Sequence, residues 1–414
     1  MIASVRQMQR LFGLALGAAM LCPGVVCSQP ATQTASPVIA ADNRLGLELY
    51  RRLAEKPGNI VVSPHSIATA MAMAHAGARG ETAKEMDAVL HIDLPANQIA
   101  DTYRALTATL NSEAAAGGPL VQVSNALHLT RFGEYVAPGF KQFLADRFAA
   151  EVFAGSDLAA INGWVKQRTN GRIEKILTKL DPNSVCVILN AIYFKGTWLE
   201  RFNVRNTRPD DFHLASGESI QVPSMHQSGY FQVVRAQSYD AIRLRYSKSS
   251  LAMIVVVPTR IDGLSEMEAA LDTQSTAAMF AQLAGASTGK VDLSLPRFKI
   301  EFGADLIPQF QNLGMQLAFN PDRADFTGIT ESTDERKRIH ISQIQHRAFI
   351  DVNEDGTEAA AATAVEFAAR AAPGQPTVFK VDRPFLYFIA DETSGAILFI
   401  GRVMDPRGNE APRL

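Results

Sequence analysis

Residues 351–367, DVNEDGTEAAAATAVEF, constrain the fold most, because this stretch fits three different local structures. Its first half has polar residues at positions one, three, five and six of a calcium-binding loop: Asp351, Asn353, Asp355 and Gly356. Position twelve, where bidentate ligation requires glutamate, holds Ala362 instead. The chain has no second copy of this pattern, so we expect no calcium site here.

The second half of the stretch is compatible with either a helix or a strand. Alanine is the best helix former, and Thr363 with Glu366 forms a capping-box pair. Read with a period of two, however, the segment separates its charges from its larger apolar residues. One face would carry Thr357, Ala359, Ala361, Thr363, Val365 and Phe367, and the other Glu358, Ala360, Ala362, Ala364, Glu366 and Ala368. Such a sequence suits a segment with two states, an extended loop and an inserted strand.

The N-terminus has the pattern of a secretory signal peptide over residues 1–28. Two arginines precede a short apolar run, Leu11 to Leu21, and small residues at 26–28 offer a cleavage site. The run is too short for a permanent membrane span. We expect an exported protein, secreted or periplasmic, with a disordered lead-in over residues 29–39. A lipid anchor through Cys27 is the weaker alternative.

Cysteine and histidine patterns indicate neither a metal site nor an enzyme. Without the signal peptide, Cys186 is the single cysteine, and its apolar surroundings predict a buried structural thiol rather than a nucleophile. HExxH, GxSxG, Walker and GxGxxG patterns are absent, and isolated histidines such as His75 and His128 are expected to be structural. We therefore expect no cofactor and no catalytic residues. Catalytic residues scattered along the sequence remain the alternative.

Composition and periodicity predict a single domain over residues 40–410, without a linker or repeat. The chain of 414 residues is 47% hydrophobic and 20% charged, which is enough for a sizeable core. Helical spacing dominates early, with one helix capped by Ser66 and another over residues 157–179. Later runs predict strands: VCVILNAIYF, SLAMIVVVP, KVDLSLP, PFLYFIA and AILFIGRV. This order predicts a mixed α/β (α+β) fold with mainly antiparallel or mixed sheets. The net charge of −2 gives no reason to expect nucleic acid or a membrane as partner.

From about residue 40 to 407 the chain carries segments that are similar to those of one known protein family. GTEAAAATAV is similar to the hinge of an inhibitory serpin's reactive loop. Five further segments are similar to family segments, in the family's order: NIVVSPHSIATAMAM, INGWVKQRTNGRI, LNAIYFKGTW, ADFTGI and RPFLYFI. Six ordered matches are far more specific than any single motif. The resemblance implies a serpin fold with three β-sheets, eight to nine helices and an exposed reactive loop at about residues 354–378.

The resemblance implies a suicide-substrate inhibitor rather than an enzyme. A target protease attacks the loop and forms an acyl-enzyme, and the cleaved loop then inserts into the central sheet and distorts the protease before deacylation. The implied loop hinge comprises Glu354, Gly356, Thr357, Glu358, Ala359, Ala360, Ala361, Ala362 and Thr363. A non-inhibitory serpin, acting as carrier or chaperone, is the alternative. Such members commonly carry bulky or charged residues on the inward hinge face, where this chain has small uncharged ones.

Counting along the family pattern assigns the reactive bond to Arg370 and Ala371. The residue that fills the protease's specificity pocket usually lies thirteen residues after the hinge threonine, here Thr357. An arginine there pairs with the carboxylate of a trypsin-like pocket. The expected partner is a trypsin-like serine protease with arginine preference, or alternatively an arginine-specific cysteine protease. The loop resembles that of antithrombin, but residues 111–129, which align with the heparin-binding helix, lack lysine and arginine. We expect a monomer without heparin-type activation.

The resemblance also implies two groups of residues that control opening of the central sheet. The shutter, where polar side chains hydrogen-bond beneath the parting strands, comprises Ser63, Ser66, Asn162, Asn190 and His346. The breach, where the loop first enters, comprises Trp198, Arg297 and Glu354. Arg297 stands where many relatives have lysine, and we expect it to form an ion pair with Glu354.

Overall fold

Fifteen strands in two hydrogen-bonded networks organise the computed structural model, which describes residues 36–357 and 375–408. The strands are β1 (Ile60–Val62), β2 (Leu120–Leu129), β3 (Glu151–Ala154), β4 (Cys186–Thr197), β5 (Arg208–His213), β6 (Ser219–Arg235), β7 (Tyr239–Arg245), β8 (Leu251–Pro258), β9 (Thr288–Pro296), β10 (Phe298–Asp305), β11 (Ile341–Asn353), β12 (Gly356–Thr357), β13 (Thr377–Lys380), β14 (Phe385–Asp391) and β15 (Ile397–Val403). All five predicted strand runs overlap strands of the structure.

Nine α-helices and four short 3₁₀ helices accompany these strands within the described ranges. The α-helices are α1 (Pro37–Ala54), α2 (Pro64–Gly77), α3 (Gly80–Leu90), α4 (Ala96–Ala115), α5 (Pro138–Phe148), α6 (Leu158–Arg168), α7 (Leu264–Ala269), α8 (Thr273–Gly285) and α9 (Ile307–Asn312). The 3₁₀ helices are Gly133–Tyr135, Val204–Asn206, Leu317–Phe319 and Glu335–Lys337. The predicted mixed α/β fold is confirmed.

The larger network has nine strands and consists of two parts that share β6. The first part of β6, residues 219–224, pairs with β5, and residues 224–232 pair with β9, which in turn pairs with β13. The last part, residues 232–235, pairs with β7 and so joins β8, β14, β15 and β1. Together with the second network, these two parts correspond to the three sheets that the family resemblance implies.

The second network is a six-stranded sheet in the order β10-β11-β12-β4-β2-β3, which we call the central sheet. Helix α2 packs against its strands β2 and β4 and also against β15. Residues of α6 join an apolar cluster with the side chains of β4 and β11 that point to one face of the sheet, including Leu189 and Phe349. Every side chain of α2 from Pro64 to Ala74 is buried, which explains its long run of small and apolar residues.

Two predicted helices differ from the structure at their ends. The cap of α2 is Ser63 and not Ser66, because Ser63 Oγ accepts a hydrogen bond from the Ser66 backbone N–H at 3.1 Å. Proline at the following position fits this assignment, since the first helical residue needs no N–H donor. The predicted run also divides into α2 and α3, where Gly80 has a positive φ of 54°.

The helix predicted over residues 157–179 ends at Arg168. Asn170 and Gly171 follow with positive φ angles of 51° and 76°, which an α-helix cannot continue through. At the other end of the chain, α1 begins at Pro37, inside the stretch predicted as a disordered lead-in. The predicted signal peptide lies in residues 1–35, outside the described residues. None of the described helices combines the length and hydropathy needed to cross a bilayer.

Candidate strand-insertion site

The two-residue strand β12 lies between β4 and β11 at one end of the central sheet. It pairs antiparallel with residues 352–353 of β11 on one side and with residues 196–197 of β4 on the other. Away from this end, β4 and β11 are direct parallel neighbours over residues 186–193 and 341–349. The central sheet therefore holds an additional strand at one end and is closed at the other.

Two glycines make room for β12. A Cβ atom on Gly356 would lie 1.9 Å from the Gly196 carbonyl oxygen, and the φ angle of Gly356 is 153°. A Cβ atom on Gly196 would lie 2.7 Å from Cδ1 of Tyr246. A side chain at 356 would clash with the backbone of β4, and a side chain at 196 would clash with the Tyr246 ring. Gly356 was among the predicted hinge residues, whereas Gly196 was not.

Thr357, the second residue of β12, is fully buried and points into the apolar core of the protein. Its Oγ1 lies 2.8 Å from the hydroxyl of Tyr246. The Tyr246 ring stacks on Trp198, with centroids 4.7 Å apart and an interplanar angle of 17°. The sequence does not indicate Tyr246, because this residue lies 111 residues from Thr357 in a segment without a recognisable pattern.

The turn between β11 and β12 brings the three predicted breach residues together. Arg297 donates from Nε to the two carboxylate oxygens of Glu354 at 2.7 and 2.9 Å. The Glu354 side chain also accepts a hydrogen bond from the Thr207 hydroxyl, a partner that the sequence did not indicate. Trp198 donates from Nε1 to the Asn353 carbonyl at 3.0 Å. The turn is thus held by side chains from three other segments of the chain.

Glu354 is held as a carboxylate despite its burial. Desolvation acts to raise its pKa, but the hydrogen bonds from Arg297 and Thr207 outweigh desolvation and leave the pKa below its ordinary value. Charge-assisted hydrogen bonds of this kind are stronger than neutral ones. The ion pair therefore fixes the turn from which β12 departs.

Three of the predicted shutter residues form one hydrogen-bonded network under the centre of the sheet. Asn190 of β4 donates from Nδ2 to the Ser66 carbonyl of α2 at 2.8 Å, and His346 of β11 contacts Asn190 Oδ1 through Nδ1. Asn125 of β2, which the sequence did not indicate, accepts from Asn190 Nδ2 at 2.5 Å. Asn125, Asn190 and His346 are register neighbours across three adjacent strands. The His346 contact crosses the boundary between β4 and β11, where an inserting strand would have to pass.

The other two predicted shutter residues make different contacts. Ser63 caps α2 through the bond to Ser66 described above. Asn162 of α6 accepts hydrogen bonds on Oδ1 from the backbone N–H groups of Ile176 and Leu177 at 2.9 and 3.1 Å. Its Nδ2 donates to the Leu177 carbonyl at 2.8 Å. Asn162 therefore secures the segment after α6 and has no direct bond to the Asn190 network.

The remaining predicted loop residues fall outside the described ranges. These are Glu358, Ala359, Ala360, Ala361, Ala362, Thr363, Arg370 and Ala371. Of the described residues, no group of three or more histidine, cysteine, aspartate or glutamate side chains is placed to hold a metal ion. Cys186 is buried at the start of β4, and burial raises the pKa of its thiol to about 12.

The buried His346 gives the shutter network a dependence on pH. Burial, together with the neighbouring Arg347 charge, lowers the pKa of His346 to about 3. Its Nε2 has no hydrogen-bond partner among the described residues, so a proton added there would be buried without an acceptor. The His346 ring is therefore neutral in the closed sheet.

We predict that the native protein loses stability as the pH falls below about 6.5, because His346 is protonated in the unfolded chain but not in the native protein. Between about pH 6.5 and the native pKa of about 3, the unfolded chain binds this proton and the native protein does not, so stability falls as the pH falls. From pH 6.5 to 5 the loss from this group is about 2 kcal/mol. Urea unfolding at pH 7 and pH 5 should show a larger loss in the parent than in His346→Gln. An equal loss in both proteins would contradict this assignment.

Comparisons with known proteins agree with this geometry. A family model described as Serpin (serine protease inhibitor) matches residues 40–406. The chain is 37% identical over 380 residues to an uncharacterized serpin-like protein of Thermococcus kodakarensis, covering 90% of this chain and 86% of that protein. It is 34% identical over 387 residues to the leukocyte elastase inhibitor of Sus scrofa, covering 89% and 99%. The crystal structure of Serpin48 from the insect Tenebrio molitor matches with a TM-score of 0.77 at 28% identity, covering 89% and 98%.

The family model spans nearly the whole described part of the chain, and the relatives match it over almost their full length. The chain therefore belongs to the serpin family of serine protease inhibitors.

Proposed function

We propose that the protein is a suicide-substrate inhibitor of trypsin-like serine proteases. A protease cleaves the chain after Arg370, and the cleaved segment that follows β12 then inserts between β4 and β11 before the acyl-enzyme can deacylate. The seated strand β12 carries this proposal, because it is already hydrogen-bonded to both strands between which the rest would insert. The protein is consumed in the reaction and does not act as an enzyme.

Main-chain hydrogen bonds supply the driving force for insertion. About a dozen inserted residues would gain roughly ten such bonds, each worth about 0.5–1.5 kcal/mol net. The sum is on the order of 10 kcal/mol, which is comparable to the whole stability of a typical domain. The uncleaved protein would then be metastable, with its closed sheet maintained by a kinetic barrier.

The orientation of Thr357 determines which loop residues would face inward after insertion. Thr357 is buried, and side chains alternate along a strand, so Ala359, Ala361 and Thr363 would share its face. These residues are small and uncharged, which suits a strand that enters a preformed core. This face supports an inhibitory serpin over a carrier or chaperone.

The choice of target rests on Arg370, thirteen residues after Thr357. Its guanidinium would pair with the carboxylate of a trypsin-like specificity pocket, although an arginine-specific cysteine protease would recognise the same group. Export through a signal peptide at residues 1–28 belongs to this proposal, because it would bring the inhibitor to extracellular or periplasmic proteases. Residues 111–129 have no lysine or arginine, so we propose a monomer that acts without heparin.

Mixing the protein with trypsin tests both the trapping and the cleavage site. We expect a band on a denaturing gel at the summed mass of inhibitor and protease, stable in SDS, because the acyl bond survives. Arg370→Ala should abolish the band, while Arg370→Lys should retain it, since trypsin accepts either cation. A parent protein that is cleaved while trypsin stays active would contradict the inhibitory function and favour a non-inhibitory serpin.

A charge on the inward face should convert the inhibitor into a substrate. Ala361→Glu would bury an unpaired carboxylate during insertion, at a cost of several kcal/mol, and so slow insertion relative to deacylation. We expect at least a tenfold loss of the stable complex with cleavage unimpaired. Ala360→Glu is the matched control, because its side chain would face away from the core. Similar trapping by both variants would show that the loop does not insert in this register.

A further inference from the structure

Tyr246 makes the one side-chain hydrogen bond recorded for Thr357 in the described part of the chain. It follows β7, forms an isolated β-bridge with Trp198, and is almost completely buried. The two hydroxyl groups lie 2.8 Å apart, and either can be the donor. Neither the predicted shutter nor the predicted breach includes this contact.

The position of the Tyr246 hydroxyl is fixed by the packing of its ring. Trp198 stacks on one face at 4.7 Å between centroids, and Phe194 contacts the ring edge-on at 4.9 Å. Gly196 lies so close to the ring that any side chain there would clash. The hydroxyl is therefore presented at one place, next to the position that Thr357 occupies in β12.

Burial makes this hydrogen bond hard to replace. When β12 leaves the sheet, the Tyr246 hydroxyl loses its partner in an apolar environment, and Thr357 gives up the same bond. Desolvation already raises the pKa of Tyr246 far above its ordinary value, so the phenol stays protonated. An unpaired buried hydroxyl is costly, which favours the seated arrangement of β12.

We propose that Tyr246 is a positioning residue for loop insertion. Its hydroxyl holds Thr357 between β4 and β11. The uncleaved protein therefore already contains the first two paired residues, Gly356 and Thr357, of the strand that inserts after cleavage. This inference rests on the proposed inhibitory function. Fixing the first pair is the unfavourable step of strand addition, because backbone freedom is lost before later bonds form. With that step complete, insertion competes better with hydrolysis of the acyl-enzyme.

The test compares Tyr246→Phe, Thr357→Val and the double variant. Each single change removes the hydrogen bond with little change in shape and leaves the other hydroxyl unpaired. Loss of such a bond should shift the ratio of seated to unseated hinge by about 2- to 10-fold. The stoichiometry of trypsin inhibition should rise accordingly in each single variant. The double variant should be no worse than either single one, because the unpaired hydroxyl is gone.

Tyr387→Phe is the matched control. Tyr387 is also fully buried, and its hydroxyl has no hydrogen-bond partner among the described residues. This substitution therefore removes a phenol hydroxyl from the core without removing a bond to the hinge. We expect it to leave the stoichiometry of inhibition unchanged.

Two measurements on the uncleaved protein do not depend on inhibition. Amide hydrogen exchange at residues 356–357 should be about 2- to 10-fold faster in Tyr246→Phe and unchanged in Tyr387→Phe. Trp164→Phe leaves Trp198 as the single tryptophan of the chain. Because Trp198 packs on Tyr246, its fluorescence emission should then change in Tyr246→Phe and stay unchanged in Tyr387→Phe.

The outcomes separate this inference from the proposed function. If the parent traps no protease, the proposed function is wrong. Faster amide exchange in Tyr246→Phe would still show that the hydroxyl contact stabilises the pairing of β12. Exchange equal to that of Tyr387→Phe would overturn the inference in either case. Faster exchange without a rise in stoichiometry, in a parent that traps trypsin, would also overturn the positioning role.

Discussion

The pairing of β12 with both β4 and β11 is the interaction on which the rest of the site depends. A strand placed between two others has its backbone donors and acceptors hydrogen-bonded to protein on both sides. Gly356 allows this pairing because it approaches the backbone of β4 too closely for a side chain, and Gly196 leaves room for the Tyr246 ring beside β12. In the proposed insertion, each additional residue would repeat the same gain.

The two ends of the strand boundary are stabilised in different ways. At the end occupied by β12, the ion pair of Arg297 and Glu354 fixes the turn, and Trp198 donates a hydrogen bond to the Asn353 carbonyl at the end of β11. Tyr246 contacts Thr357 of β12. Further along, the direct contact between Asn190 and His346 ties β4 to β11. The proposed insertion would break the contact between Asn190 and His346 while it extends the pairing of β12. A polar network suits a boundary that has to open, because its hydrogen bonds can be exchanged for new ones. A closely packed apolar core at the same place would have to be repacked.

Patterns in the sequence predict much of this arrangement, and the missing parts have physical reasons. Periodicity locates the main strands, and the family resemblance indicates Glu354, Arg297 and Trp198, which the fold brings together. The partners Asn125, Thr207 and Tyr246 come from distant segments whose proximity only the tertiary structure creates. Ser63 rather than Ser66 caps α2, which the following proline could have indicated. The early end of α6 at Arg168 depends on the left-handed residues that follow, which helix propensity alone does not predict.

Cleavage of the loop without a trapped protease is the most direct test of the central claim, that the native sheet gains stability by accepting the loop. A metalloprotease, which forms no acyl-enzyme, would cut within residues 358–370, and thermal unfolding would be compared before and after. A gain on the order of 10 kcal/mol should raise the midpoint by about 10 °C or more. Cleaved Ala361→Glu should show a smaller rise, because the buried carboxylate offsets part of the gain. A cleaved parent protein that unfolds at the original temperature or below would contradict the account.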